Sequence, residues 1–383
     1  MGMVGGGPGA FIGAIHRVAA QLDGQIELVG GAFSSDPGKS RDTGTALFLD
    51  PTRVYGSYTE MMEKESALPA DRRMDLVSIV TPNHLHFEPA RLAMESGFHV
   101  VLDKPIAFSL EEALRLKEIS EKTKRLCCLT HTYAGYPMVK EARYQVAAGH
   151  LGAIRKVYVE YPQGWLSNAL EKEENKQASW RTDPARSGIA GCMGDIGTHA
   201  FHLAEYVSGL KVSHLCAELG TFVKGRRLDD DGAVLLRFNN GATGVLMATQ
   251  VAAGEENNIR IRVYGEKGGL EWQQQDNNTL LLKWPDRPAQ ACRAGAAYLS
   301  PSSLHNSRTP SGHPEGYLEA FANHYRNFAL TLQAMMPNEK PTAEWLDFPT
   351  IDDGIRGMAF IENVVRSASS ETKFIPFETV VPV

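Results

Sequence analysis

Three side chains of this sequence have the types and positions that proton chemistry needs: Lys104, Asp195 and His199. Lys104 directly follows a strand-like apolar run, where its ammonium group can hydrogen-bond a substrate hydroxyl and favour its alkoxide character. Asp195 and His199 are four residues apart, so on a helix they share one face. An imidazole can accept a hydroxyl proton near neutral pH, and a nearby carboxylate can orient it or bind a second hydroxyl. A surface lysine, and a capping Asp with a satisfied histidine, are the structural alternatives.

The same helix also allows a metal interpretation, because Asp195, His199 and His202 lie on nearly one face. No cysteine or fourth ligand is suitably spaced in the sequence, so we expect no metal. The chain has five cysteines, an odd number with no C-x-x-C pair. This favours reduced, mostly buried thiols in a cytoplasm.

A glycine-dense turn within residues 4–16 precedes an apolar-spaced, helix-like segment. Residues 5–10 fit the Gly-x-Gly-x-x-Gly/Ala pattern, although we expect the helix to begin later, with Gly13 as its close-packing glycine. Such a loop lets a pyrophosphate approach backbone N–H groups at a helix N-terminus, and a plain tight turn is the alternative. The dinucleotide interpretation predicts cofactor contacts at Gly5, Gly7, Pro8, Gly9, Phe11 and Ile12.

Residues 1–130 alternate strand-like runs with helix-like segments, which predicts a parallel sheet with helices on both faces. Ile26–Val29 is the predicted second strand, and Leu76–Val80 and Val100–Leu102 are later ones. Ligands bind at the carboxyl ends of the strands in such sheets, so the loops after the strands are the candidate site. We therefore predict a dinucleotide-binding Rossmann domain over residues 1–130.

Residues 131–383 contain alternating runs that predict antiparallel strands, with a hairpin signal at residues 239–241, N-N-G. Residues 195–208 and 315–335 have helical spacing, and the Pro- and Ser-rich stretch 285–314 indicates a long surface loop. The predicted fold class is α/β, with an N-terminal Rossmann doubly wound parallel sheet. It is followed by a C-terminal α+β domain for substrate binding and oligomerisation, with a large, mostly antiparallel sheet. Its final helices are expected to pack back towards the Rossmann domain.

The loop after the second predicted strand bears on the 2′ group of the nucleotide. An acid about 20 residues beyond the glycines would bind a ribose diol. The sequence instead has Ser34, Ser35 and Asp36, followed by Lys39. Asp36 could bind a diol, whereas the serines with nearby basic residues could bind a 2′-phosphate. Since no arginine directly follows the serines, we expect NAD and leave NADP open.

Two further motifs follow later strands: residues 81–86, T-P-N-H-L-H, and residues 103–105, D-K-P. Together with the glycine loop and residues 194–199, G-D-I-G-T-H, they resemble the Gfo/Idh/MocA family of NAD(P)-dependent sugar and cyclitol oxidoreductases in order and spacing. The resemblance covers nearly the whole chain. The sequence departs from the family in its longer glycine loop, in the missing second-strand acid, and in Asp103, where Glu is commoner. These departures leave cofactor preference more open than fold.

The resemblance implies that His199 is the acid/base, Asp195 a ligand of a sugar hydroxyl and Lys104 their partner. It assigns the segments after the strands to the cofactor, with Asn83 and His86 nearest the nicotinamide ribose. The residues so assigned are Thr81, Pro82, Asn83, His86, Asp103, Lys104 and Pro105. Helix-start capping accounts for Asn83 equally well. Pro105 would fix the exit of the chain, and a cis bond is one way to do so.

Aromatic and polar side chains suited to sugar rings lie around these motifs. The predicted substrate contacts are Tyr133, Tyr136, Gln163, Trp165, Trp180, Arg181, Asp195, His199 and His313. Arg181 belongs to a segment, 180–184, that we expect to be irregular, and its guanidinium could bind a carboxylate, phosphate or sulfonate. The segment 313–317 either caps the following helix or closes over the site. Packing is the alternative for each of these residues.

The resemblance implies a dehydrogenase that transfers hydride between a secondary alcohol of a sugar, glycoside or cyclitol and nicotinamide. The same apparatus allows a second class, a glycosidase that oxidises and re-reduces its substrate and so regenerates its own NAD. A non-catalytic redox sensor is the third class, although a sensor has no need of an acid/base pair.

The net charge of −6 gives no electrostatic reason to expect a nucleic-acid partner. The sequence has no run of about 18 apolar residues, so we expect no membrane span. We expect a cytoplasmic protein, and the family resemblance implies a homodimer or homotetramer.

Overall fold

The computed structural model describes residues 1–173 and 175–380. The last residues of the predicted second domain, 381–383, therefore lie outside the described residues. The chain forms two compact units: the first comprises Met1–Thr132 and Phe321–Ile355, and the second comprises Tyr133–Ala320 and the chain from Arg356 onwards. The domain limits predicted from the sequence, 1–130 and 131–383, stay a prediction.

The first unit is built on a five-stranded parallel sheet in the order β2-β1-β3-β4-β5, which confirms the predicted Rossmann-type sheet. In chain order its elements are β1 (Gly2–Gly5), α1 (Phe11–Gln21), β2 (Gly30–Ala32), α2 (Pro37–Ala46), α3 (Tyr58–Ser66), β3 (Leu76–Val80), α4 (Phe87–Glu95), β4 (His99–Leu102), α5 (Leu110–Thr123) and β5 (Cys127–Leu129). The central strand β3 is buried at every position, as expected of a strand covered on both faces.

The second strand lies later in the chain than we predicted. Residues Ile26–Val29 are not a strand, and β2 is the short run Gly30–Ala32. A Cβ atom at Gly30 would lie 2.4 Å from the Arg53 carbonyl oxygen, so close backbone approach requires glycine there. Strand propensity favours the Ile-Glu-Leu-Val run, but tertiary packing places the strand at the neighbouring glycines instead.

The second unit is built on a nine-stranded sheet in the order β13-β12-β11-β10-β6-β9-β8-β7-β14, in which only the β6–β9 pair is parallel among the described residues. Its elements before residue 310 are α6 (Pro137–Ala147), β6 (Ile154–Pro162), α7 (Lys176–Arg181), α8 (Pro184–Ser187), α9 (Thr198–Ser208), β7 (Val212–Gly220), β8 (Asp231–Phe238), β9 (Thr243–Thr249), β10 (Arg260–Gly265), β11 (Gly269–Gln273), β12 (Thr279–Lys283), β13 (Gln290–Arg293) and α10 (Pro301–His305). The predicted hairpin is confirmed, because β8 and β9 are antiparallel neighbours.

The last elements are α11 (Tyr317–Met335), α12 (Ile351–Ala368) and β14 (Ile375–Pro376). Helix α11 confirms the helical spacing predicted for 315–335, since Phe321, Tyr325 and Phe328 are all buried. In the part of the chain that the structure describes, no helix is both long and apolar enough to cross a membrane.

Three local predictions need correction. The stretch 285–314 contains β13 and α10 and is not one long loop. The segment 180–184, expected to be irregular, includes the end of α7 and the start of α8, two short helices with side-chain caps from Asn175 and Asp183. Such short helices carry too few turns to show apolar periodicity in sequence. The helix predicted over 195–208 begins with a π-helical turn, Met193–Gly197, before α9.

Candidate active site

The glycine loop joins β1 to α1 in the first unit. Gly5, Gly6 and Gly9 have φ values of 86°, 75° and 75°, a region that other residues rarely adopt. Helix α1 begins at Phe11, and neither a side-chain cap nor an acidic residue occupies its first turn. The partial positive charge of this helix terminus therefore faces no carboxylate of its own first turn. Such a terminus fits the pyrophosphate of a dinucleotide.

Two glycines hold this loop against its neighbours. A Cβ atom at Gly13 would lie 2.4 Å from Gly6 Cα, and one at Gly7 would lie 2.7 Å from the Phe33 carbonyl oxygen. Both neighbours are backbone atoms, so no side-chain rotation can relieve the contact. Gly13 is therefore the close-packing glycine, as predicted, and Gly6 is its partner.

The change Gly13→Ala is expected to weaken NADH binding about tenfold or more, because the added methyl pushes α1 away from the loop. Fluorescence titration with NADH measures the effect. The matched control is Gly357→Ala in α12, where an added Cβ meets nothing within 4 Å. Equal NADH affinity in Gly13→Ala and wild type would contradict this use of the loop.

Among the residues after β2, the carboxylate of Asp36 is held in place, with Lys39 and Arg41 close enough to act on its charge. Asp36 caps α2 and accepts hydrogen bonds from the backbone N–H groups of Lys39 at 3.2 Å and Gly38 at 2.8 Å. These bonds lower the pKa of Asp36 below its ordinary value. Ser34 Oγ accepts from the Asp36 backbone N–H at 3.1 Å. A carboxylate fixed at this position could accept hydrogen bonds from the two ribose hydroxyls, and its negative charge would repel a 2′-phosphate.

The motifs after β3 and β4 are tied together by a buried histidine. His86 Nδ1 lies 2.7 Å from the Pro105 carbonyl oxygen, and Nε2 lies 2.8 Å from that of Thr81. Burial lowers the pKa of His86. Since both ring nitrogens contact the protein's own backbone, we leave His86 out of the proposed ribose contacts. These two contacts explain why a histidine occurs at position 86: it holds residues 103–105 against the end of β3.

Lys104 lies at the carboxyl end of β4, and its peptide bond to Pro105 is cis. Asp103 Oδ1 accepts hydrogen bonds from the Lys104 backbone N–H at 3.0 Å and from Thr130 Oγ1 at 2.8 Å. Asp103 thus fixes the backbone that carries Lys104. Both Asp103 and Lys104 are partly exposed at the sheet edge, where ligands of such sheets bind.

In the second unit, Asp195 is held by two side chains from other elements. Asp195 Oδ2 accepts from Arg181 Nε at 3.1 Å and from Gln250 Nε2 at 2.9 Å. The Asp195 side chain is 15% exposed, so the carboxylate is fixed without being closed off. Sequence reasoning missed Gln250, although a polar residue directly after β9 is a position where a site residue is expected.

His199 lies one turn further along, buried between two tyrosines. The Tyr133 ring meets the imidazole edge to face with centroids 5.0 Å apart, and the Tyr161 ring lies at 6.4 Å. The two phenol oxygens are hydrogen-bonded to each other. Burial raises the pKa of both phenols, which therefore stay neutral at physiological pH. The tyrosines fix the plane of the His199 ring.

A polar network extends from these tyrosines. Asn257 Oδ1 accepts from the Tyr161 hydroxyl at 2.7 Å and from the Gln163 side-chain amide, while Asn257 Nδ2 donates to the Tyr133 hydroxyl at 3.3 Å. Gln163 Oε1 in turn accepts from Trp165 Nε1 at 3.1 Å. The structure thus brings the predicted Tyr133, Gln163 and Trp165 together. Tyr161 and Asn257 are members that the sequence analysis missed.

The Arg181 guanidinium is engaged within the protein. Besides Asp195, it donates to Gln177 Oε1 at 2.6 Å, and its carbon lies 4.3 Å from the Trp180 ring centroid and 5.8 Å from that of Trp165. These contacts engage one face and two donors of the guanidinium, the group that could have bound an anion. Arg181 therefore balances Asp195, and the two indoles lie beside that pair.

Three other predicted residues have different surroundings. Tyr136 is 1% exposed and packs between Tyr133 and Trp272, so we leave it out of the proposed substrate site. His313 is exposed, and the segment around it leads directly into α11. His202, part of the metal alternative, stacks on Tyr206 at 5.7 Å. Among residues 1–173 and 175–380, no group of three His, Cys, Asp or Glu side chains could hold a metal ion.

Comparison with known proteins shows the family. A sequence model described as an oxidoreductase family with an NAD-binding Rossmann fold matches residues 1–131, and one described as the GFO/IDH/MocA C-terminal domain matches residues 139–271. The chain belongs to the Gfo/Idh/MocA family. Its first unit therefore contains an NAD-binding Rossmann domain, and the family is one of oxidoreductases.

Relatives in this family match almost the full chain. The oxidoreductase YfiI of Bacillus subtilis (strain 168) is 32% identical, over 98% of this chain and 96% of its own. An inositol dehydrogenase homolog from Azotobacter vinelandii, solved in complex with NAD+, is 36% identical with a TM-score of 0.92, over 98% and 96%. The same homolog complexed with NADH and myo-inositol gives 35% identity and a TM-score of 0.89, over 98% and 97%. The Gfo/Idh/MocA resemblance of the motifs is thus confirmed along the chain.

Proposed function

We propose that this protein is an NAD-dependent dehydrogenase that oxidises a secondary alcohol of an uncharged sugar, glycoside or cyclitol. The observation that carries the proposal is the arrangement of Asp195 and His199 in the second unit. Arg181 and Gln250 both donate to Oδ2 of Asp195 and so fix the orientation of the carboxylate, a group that is a strong acceptor for the hydroxyls of a sugar. An imidazole oriented by tyrosines is suited to accept a hydroxyl proton.

The residues of the first unit fit the cofactor. The glycine loop and the N-terminus of α1 would hold the pyrophosphate, and Asp36 would accept from the ribose diol. Bound NAD supplies the hydride acceptor. In the proposed reaction His199 takes the proton of the substrate hydroxyl, Asp195 orients the sugar through a hydroxyl, and Lys104 stabilises the negative charge that develops on oxygen.

The pairing of Arg181 supports an uncharged substrate. The guanidinium balances Asp195 at 3.1 Å, and the nearby Arg226 is balanced by Glu171 and Asp230 at 3.1 Å and 3.3 Å. A substrate phosphate or carboxylate placed beside Asp195 would have to compete for a cation that is already engaged. The Trp165 and Trp180 rings suit the apolar C–H face of a neutral sugar.

The test is NADH formation at 340 nm with NAD or NADP and a panel of paired substrates. Uncharged members are myo-inositol, glucose and levoglucosan; charged members are glucose 6-phosphate and glucuronate. We expect NAD to be used, and kcat/KM for the best uncharged substrate to exceed that of the charged ones about tenfold or more. Turnover of the charged substrates alone, or of none, would overturn the proposal.

The two other functions considered from the sequence have no support of their own here. The comparisons favour neither a glycosidase with internally regenerated NAD nor a redox sensor. Mass spectrometry of the protein as purified tests the glycosidase, because NAD retained through catalysis would be found bound. Loss of turnover with intact cofactor binding in Lys104→Ala would argue against a sensor. The homodimer or homotetramer expected from the resemblance stays a prediction, which light scattering after size exclusion checks.

A further inference from the structure

Asp229 binds three consecutive backbone amides of a neighbouring segment in the second unit. Its Oδ1 accepts from the Gly191 N–H at 2.7 Å, and its Oδ2 accepts from the Met193 N–H at 2.7 Å. Between them, the Cys192 N–H donates to the backbone carbonyl of Asp229 at 2.9 Å. One residue therefore satisfies every N–H group from 191 to 193.

This segment is the entry to the π-helical turn that carries Asp195. The Asp195 N–H donates to the Gly191 carbonyl oxygen at 2.9 Å, so the first turn is closed on a residue that Asp229 holds. A Cβ atom at Gly191 would lie 2.3 Å from the Asp229 carbonyl oxygen, which shows how closely the two backbones approach. The position of Asp195 is thus set from its N-terminal side by Asp229.

The residues that follow Asp229, at the start of β8, position Gln250, the second partner of Asp195. The Gln250 N–H donates to the Asp230 carbonyl oxygen at 2.9 Å, and the next residue, Asp231, pairs with Thr249 in the β8–β9 ladder. Gln250 Nε2 then reaches Asp195 at 2.9 Å. The Asp229 carboxylate therefore holds the turn that carries Asp195, whereas Gln250 is held by the backbone of Asp230 and Asp231, which the change Asp230→Asn retains.

The chemistry of Asp229 suits this role. The Gly191 and Met193 N–H groups donate to separate oxygens of Asp229, and an ionised carboxylate provides two acceptor oxygens whereas a side-chain amide provides one. Burial raises the pKa of Asp229, while the Met193 and Gly191 N–H groups lower it.

We propose that Asp229 is a positioning residue that sets the location of Asp195 for catalysis. It touches neither reacting atom nor cofactor in this scheme and acts through the backbone of residues 191–193. The inference rests on the proposed function of Asp195, and it names a residue that neither the motif pattern nor the family resemblance identified.

The experiment compares Asp229→Asn with Asp230→Asn in the full-length protein. Asp230 is the control, because its carboxylate also accepts from two consecutive backbone N–H groups, those of Phe222 at 2.8 Å and Val223 at 3.0 Å. Asp230→Asn also removes the 3.3 Å ion pair with Arg226, which keeps its ion pair with Glu171 at 3.1 Å. These belong to a loop that does not carry Asp195. The Asp229→Asn amide would face one N–H group with a donor in place of an acceptor.

We expect Asp229→Asn to lower kcat about ten- to a hundredfold for the best polyol substrate, with NADH affinity unchanged. We expect Asp230→Asn to lose a comparable amount of Tm but to keep kcat within about threefold of wild type. Equal kcat losses in the two variants, or none in Asp229→Asn, would overturn the proposal. If Asp229→Asn does not fold, Gly191→Ala disturbs the same contact from the other side and is judged by the same criteria.

Amide hydrogen exchange separates this inference from the proposed function. Peptides covering residues 190–198 should exchange about tenfold faster in Asp229→Asn than in wild type or Asp230→Asn. If wild type oxidises no polyol but this exchange difference appears, the proposed function fails, while the inference that Asp229 holds residues 191–193 in place is supported. If exchange at residues 190–198 is the same in Asp229→Asn and wild type, the inference that Asp229 holds residues 191–193 is overturned.

Discussion

Replacing His199 by asparagine is expected to lower kcat about 10²- to 10⁴-fold, because the group that we propose takes the hydroxyl proton is then removed. Asparagine keeps a polar side chain of similar reach but cannot accept and release a proton near neutral pH. The Tyr133 and Tyr161 rings that flank the imidazole should tolerate the smaller side chain. The loss should therefore fall on kcat, with NADH affinity unchanged.

The matched control is His202→Asn, which removes an imidazole from the same helix, α9, where it stacks on Tyr206. We expect kcat within about threefold of wild type for this variant. Initial rates of NADH formation from pH 6 to pH 10 provide the measurement. A His199→Asn enzyme with the wild-type rate, or an equal loss in both variants, would assign the proton to another group.

Lowering the pH from 7.5 to 5.0 is expected to cost the protein about 2 kcal/mol of unfolding free energy through His16 alone. His16 is fully buried in α1, with Nδ1 2.7 Å from the Tyr325 hydroxyl and 3.3 Å from Ser78 Oγ. Burial lowers the pKa of His16 from 6.5 to about 4, although Asp103 acts in the opposite direction.

The sign of the effect follows from which state binds the proton. Between pH 6.5 and pH 4 the unfolded chain protonates His16 and the folded protein does not. The stability contribution is therefore complete above pH 6.5 and is lost as the pH falls towards 4. His99 titrates in the same direction, since burial lowers its pKa to about 4 as well.

Urea unfolding of wild type and His16→Gln at pH 7.5 and pH 5.0, followed by circular dichroism, measures this contribution. Glutamine can still hydrogen-bond but does not titrate, so the variant should lose about 2 kcal/mol less than wild type between the two pH values. The comparison uses only the change in unfolding free energy between pH 7.5 and pH 5.0, so a destabilisation of the variant that is equal at both pH values does not affect it. Parallel losses in the two proteins would show that His16 is protonated in the fold.

The local sequence was sufficient for several features that depend on backbone conformation and on local hydrophobic pattern. The alternation of buried strands such as Leu76–Val80 with amphipathic helices predicted the parallel sheet, which the structure confirms. The glycine spacing predicted the turn before α1, because positive φ values and close backbone approach admit little else. The hairpin at 239–241 followed from the same kind of local rule.

Partners from distant segments were decided only by the tertiary structure. Nothing near Asp195 in sequence indicates that Arg181 and Gln250 bind its carboxylate, or that Asp229 holds the turn before it. The same is true of Arg181 itself, whose charge the sequence left open to a substrate anion. Side-chain types and spacing determine which chemistry a residue can perform, whereas the packing of distant segments in the fold determines which groups balance its charge. The sequence therefore identified Lys104, Asp195 and His199 as candidates, and the fold supplied the contacts that hold Asp195 and His199 in place.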